Sequence, residues 1–142
     1  MRSPVGVIRG FVGTYWLLLA AAACAAEDDR PPTFEYVYTT IIAPSCTTVG
    51  CHNSFTATYG FRFDTLTGTY AYLTGRVCDP DAPPDPGAPP RNYVAPGDPG
   101  RSKLMHLLLG DDVPRRMPPD TPLPAKDIEL VSEWILDGAE CN

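Results

Sequence analysis

The sequence predicts an all-α domain with long loops, and three observations predict it. Apolar residues recur at helical spacing in 34–42 and again in 128–135. Residues that cap or stop helices stand at the ends of four stretches. The stretch 79–92 holds Pro80, Pro83, Pro84, Pro86, Pro89 and Pro90, which exclude it from helix interiors and central strands.

A chain of 142 residues leaves room for one domain once a short leader is set aside. Residues 1–23 read as an export signal: Arg2 and Arg9 precede an apolar run from Phe11 to Ala23, shorter than the roughly 20 residues of a membrane-spanning helix. The run ends Leu19-Ala20-Ala21-Ala22-Ala23-Cys24, which resembles the lipobox of bacterial lipoproteins and implies a lipid anchor on Cys24. Cleavage at an Ala-x-Ala site is the alternative and gives a soluble product. Either route exports the domain, to the periplasm or the outer surface of a bacterial envelope. Residues 24–33 are polar, with nothing to bury, and read as a flexible tether.

The domain then spans 34–142. Its first helix starts from Thr33 as N-cap, carries Phe34, Val37, Ile41 and Ile42 on one face, and is expected to stop at Pro44. It delivers its end to Cys46. The β-branched run 37–42 would also suit a strand. A second helix is expected after Asp64, read as its cap, ending near Gly75. In the third, Asp98 caps, Pro99 takes the first position, Leu104, Leu107 and Leu108 form the buried face, and Gly110 ends it. Between these two lies the proline-rich insertion 79–92. The last helix begins around Pro124-Ala125, aligns Ile128, Val131, Trp134 and Ile135, and stops at Gly138.

Net charge narrows the partners. The formal value of −6 becomes −8 when Arg2 and Arg9 leave with the signal, so a nucleic-acid partner, which needs a basic face, is not expected. An acidic surface suits basic partners. Export also means that disulfides persist. With Cys24 lipidated and Cys46 and Cys51 grouped beside His52, Cys78 and Cys141 remain to join each other. The count is consistent with that bridge but does not establish it.

Cys46-Thr47-Thr48-Val49-Gly50-Cys51-His52 is the segment with chemistry in it. In the usual C-x-x-C-H signal two thiols add to the vinyl groups of haem and the histidine ligates iron. Here four residues separate the cysteines, as in a variant of some multihaem cytochromes, and the additional residues must bulge away, for which Gly50 offers backbone freedom. A Cys46 to Cys51 disulfide beside an incidental histidine is the competing reading.

Ordered blocks along the chain resemble the short cytochrome c-like domains of the planctomycete and myxobacterial type. They are Ile42-Ala43-Pro44-Ser45-Cys46 leading to Gly50-Cys51-His52, then Gly60-Phe61-Arg62-Phe63-Asp64, Val94-Ala95-Pro96-Gly97-Asp98-Pro99 with Ser102-Lys103-Leu104, Met117-Pro118-Pro119, and Trp134-Ile135-Leu136-Asp137-Gly138-Ala139. The resemblance implies a cytochrome c-like helical fold, one covalent haem c on Cys46 and Cys51, and iron held by His52 and Met117. It further implies a single-electron carrier rather than an enzyme, serving redox partner proteins of the cell envelope. His106 is the competing sixth ligand, though its place on its helix suggests a surface role. Two other classes stay open: a haem-free envelope module with Cys46 bridged to Cys51, and a copper or zinc site using Cys46, Cys51, His52 and Met117.

Overall fold

A computed structural model describes residues 28–78, 93–111 and 113–142. Residues 1–23, Cys24 and the insertion 79–92 lie outside the described residues. Among those described the secondary structure is helical, with no strand, so the all-α class holds and the strand option for 37–42 does not.

The first helix is built in three pieces. α1 (Phe34–Val37) passes through a π-helical turn (Tyr38–Ile42) into α2 (Ala43–Cys46). Thr33 caps as expected, its side chain accepting from the Tyr36 amide. Pro44, expected to end the helix, instead sits in its last piece. The wider turn explains this: the ladder runs from the Ala43 amide back to the Tyr38 carbonyl. The residue without an N–H therefore falls in a first turn, where no donor is required.

α3 (Leu66–Thr74) is capped by Thr65, not Asp64. Asp64 accepts instead from the Ser54 amide, 3.0 Å away. Thr65 takes the Gly68 amide at 3.2 Å, and Gly75 closes the helix with φ 70°. Because α3 is short and carries a glycine inside, it leans on that cap. Thr65→Ala should lower the unfolding free energy by about 1 kcal/mol in urea titrations; an unchanged midpoint would show the cap to be idle.

The third expected helix is divided. A 3-10 turn (Pro99–Arg101) is capped by Asp98, and α4 (Lys103–Leu109) follows it. Ser102 breaks the run because its backbone is extended and its buried hydroxyl donates to the Asp98 carbonyl and accepts from the Ala95 amide. The buried residues of α4 are Met105 and Leu108, with Leu104 and Leu107 only half-buried. α5 (Ala125–Leu136) matches its expected bounds.

The core lies where α1 crosses α5. Phe34, Val37, Tyr70, Leu130, Trp134 and Ile135 are almost wholly buried. Phe34 sits with its ring 5.1 Å from Tyr70 and 5.0 Å from Trp134, centroid to centroid. The segment after α5 wraps this core. Ala139 accepts from the Tyr70 hydroxyl at 2.9 Å and Glu140 from the Trp134 indole at 2.8 Å. Asn142 then takes the Phe34 amide on its side chain and the Glu35 amide on its backbone carbonyl. Cys78 and Cys141 are disulfide-bonded, with Cα atoms 5.2 Å apart, inside the usual range. The expected tether meets the fold at Arg30, whose guanidinium donates to Asp127 at 2.6 Å and to the Lys126 carbonyl at 2.9 Å.

Candidate functional site

A small apolar cavity lies between the helices. Ile41, Ile42 and Cys46 line it from the first helix, Phe63 and Leu73 from the middle of the chain, Leu104 and Leu108 from α4, and Leu123 and Val131 from the region of α5. Its volume is about 20 Å³, room for about one water. The π-helical turn contributes directly: Ile41 and Ile42 end it, and the helix then carries Cys46 onto the cavity wall. Burial, and then the neighbouring Cys51, push the Cys46 thiol up to about 12. It is therefore protonated and a weak nucleophile at neutral pH. Cys46 and Cys51 are both free thiols, half-buried, and not bonded to each other.

The four residues between them are looped out. The His52 amide donates to the Cys46 carbonyl at 2.9 Å, closing the excursion, and the Cys51 amide donates to Thr48 at 2.9 Å. Val49 is fully exposed at the tip. Gly50 follows it with φ +87° and open space where a side chain would be. A residue with a side chain would be strained there for conformational reasons alone.

His52 is half-buried. Its Nδ1 lies 3.2 Å from the Thr58 carbonyl, so that nitrogen carries the proton and Nε2 keeps its lone pair. Phe61 and Phe63 pack on the ring, with centroids 5.4 and 5.2 Å away. Loss of hydration lowers the His52 pKa, and the Thr58 hydrogen bond opposes this only in part. In the unfolded chain His52 takes its proton near the ordinary value, while the folded chain resists it to lower pH. The unfolded state thus binds more protons in that window, and stability present above about 6.5 is lost as pH falls. Urea midpoints of haem-free protein should fall between pH 7.5 and 5, and His52→Gln should flatten that part of the profile. Equal slopes in the two proteins would sink the prediction.

Met117 is half-buried and its amide donates to the Leu107 carbonyl at 2.7 Å. This ties it to the helix that lines the cavity through Leu104 and Leu108, but Met117 does not line the cavity itself. His106 faces elsewhere, with Nδ1 at 2.8 Å from Asp111 and Nε2 at 3.0 Å from the Gly100 carbonyl. Of the aromatic residues, Phe61 and Phe63 surround His52, Tyr70, Tyr72 and Trp134 belong to the core, and Tyr59 is exposed. Among the described residues no three His, Cys, Asp or Glu side chains converge as a metal-binding group.

Two contributors escape a reading of the motif alone. One is the Thr58 carbonyl, since a backbone acceptor has no sequence signature. The other is Asn53, whose side chain bonds both the loop before it and the turn after it. Its signal was available: asparagine favours local bonds to nearby backbone. Compared with protein-family profiles, with curated proteins and with solved structures, the chain matches none of them.

Proposed function

We propose that this chain is an exported monohaem c-type cytochrome and carries single electrons. On this reading Cys46 and Cys51 hold haem c by thioether bonds, and His52 and Met117 ligate the iron. The observation that carries it is the geometry of His52: Nδ1 lies 3.2 Å from the Thr58 carbonyl, which leaves Nε2 as the nitrogen to ligate. Metal-binding histidines are characteristically held this way through the other nitrogen. Two free thiols at the two ends of one short loop, one of them on the wall of an apolar cavity, supply the second half of the attachment chemistry.

By chemical type, two thiols, an imidazole and a thioether are donors that haem c takes. At about 20 Å³ the cavity is far smaller than a typical ligand pocket of ~300–1,000 Å³, so seating a porphyrin requires the side chains around it to part. Haem, when bound, supplies a reversible one-electron couple. The chain's own residues do the rest: Phe61 and Phe63 fix the imidazole plane, and the apolar wall from Ile41, Ile42, Leu104 and Leu108 excludes water. Excluding water and supplying a thioether ligand both bear on the potential. The acidic surface directs encounter with basic redox partners of the cell envelope, and lipidation of Cys24 would keep the carrier at the membrane.

The test is to export the full chain alongside a haem attachment system and record its intact mass and absorption spectrum. A porphyrin increment that survives acid-acetone extraction, with sharp reduced-state bands, is the expected result. Cys46→Ala with Cys51→Ala should abolish it, and Met117→Ala should change the ligand-field spectrum. Mass without the increment overturns the reading. Two fewer free thiols would then favour the haem-free envelope module with Cys46 joined to Cys51, and bound copper or zinc the metal site.

A further inference from the structure

We propose that Asn53 is the positioning residue that adapts the four-residue spacer to two-point attachment: its carboxamide clamps the start of the spacer to the turn after His52, holding Cys46 and Cys51 at one separation and unpaired. The attachment half of this rests on the haem reading above. The holding of the thiols does not.

Two residues beyond the usual spacing bring about four additional soft dihedrals between the sulfurs. Unrestrained, they would let the thiols wander or meet. Asn53 Nδ2 donates to the Thr47 carbonyl at 3.1 Å and the Thr48 carbonyl at 3.0 Å. Its Oδ1 accepts from the Phe55 amide at 2.9 Å, the Thr56 amide at 3.0 Å and the Thr56 hydroxyl at 2.9 Å. One side chain therefore ties the residues that follow Cys46 to those that follow His52. From the far side Thr58 Oγ1 donates to the Gly50 carbonyl at 3.1 Å. Between these ties the spacer bulges at its tip, where Val49 is fully exposed and Gly50 turns with φ +87°.

Asparagine is chemically specific for this task. Aspartate keeps the acceptor half and has no donor for Thr47 and Thr48; glutamine is longer by a methylene. The clamp matters because attachment adds each S–H across a vinyl double bond. Sulfur bonds one vinyl carbon and the hydrogen goes to the other, so no oxidant is consumed. Both additions require the sulfurs to match the spacing of one rigid macrocycle.

The experiment compares the full chain with Asn53→Asp, which retains the turn after His52, and with Asn53→Ala. In the first arm, haem-free protein is equilibrated with reduced and oxidised glutathione. Cys46 and Cys51 lose two hydrogens to form a disulfide while one oxidised glutathione becomes two reduced, and peptide mass mapping reports the pair separately from Cys78 and Cys141. With the two donor bonds gone, Asn53→Asp should raise the pairing constant by about tenfold, at unchanged helical content. A constant within about twofold of the parent's overturns the clamp. In the second arm, exported protein made with a haem attachment system is assayed for the number of thioether bonds. The parent should carry two and Asn53→Asp should accumulate a single-bond product. Two bonds at parental yield in Asn53→Asp also overturn the proposal. A parent without porphyrin sinks the haem reading alone, and the glutathione arm then decides on Asn53.

Discussion

Trp134→Ala should destabilise the domain by about 3–5 kcal/mol, a large share of the ~5–15 kcal/mol that holds a domain of this kind together. The indole is 1% exposed and lies with its centroid 5.0 Å from Phe34. Its Nε1 donates to the Glu140 carbonyl at 2.8 Å. One side chain thus joins α5, the start of α1 and the segment that wraps the core. Truncation leaves a void among groups that cannot all collapse inward, and it frees a carbonyl. Urea titration followed by far-ultraviolet circular dichroism measures the loss. Trp134→Phe, which keeps most of the apolar volume, should cost about 1.5 kcal/mol or less. Equal losses for the two variants would mean that the hydrogen bond rather than the packed volume carries the effect.

Replacing Cys78 and Cys141 by serine should cost about 4 kcal/mol, since the bridge closes a long loop and long loops restrict the unfolded chain most. The two cysteines are 63 residues apart in sequence. The loss should also have a location. Cys141 lies in the segment that gives Tyr70 and Trp134 their acceptors and caps α1 through Asn142. Arg76 adds to this anchorage by bonding the Gly138 carbonyl at 3.0 Å and the Glu140 carboxylate at 2.8 Å. Amide hydrogen exchange should therefore quicken first at Phe34 and Glu35. Uniform acceleration throughout the domain would instead indicate that the bridge acts on the unfolded state only.

The parts legible in the sequence were those governed by local rules. Thr33 as a cap, the α5 face with Val131, Trp134 and Ile135, and the Gly110 and Gly138 stops depend on near neighbours and appear as expected. Gly50 as a point of backbone freedom in the loop, which it takes up with φ +87°, belongs to the same class. The misreadings share one cause, competition between local options settled by tertiary partners. Asp64 could cap α3, but a more distant amide at Ser54 claims it. Pro44 could stop the first helix, but the wider turn ahead of it spares the clash. Ser102 could continue a helix, but its buried hydroxyl is held by Ala95 and Asp98. At the site, the residues of the motif could be named from their spacing. The Thr58 carbonyl and the clamping geometry of Asn53 arise only once the chain has turned back on itself.

The wide turn at Tyr38–Ile42 has the character of a phase shift written into the chain. Delete one residue from it and the helix would regain an even winding, but every later position would rotate by about 100° around the axis. The sulfur of Cys46 would swing away from the greasy hollow it now borders, and the Pro44 ring would be driven against the carbonyl one turn back. A single codon there sets the direction in which the Cys46 sulfur points.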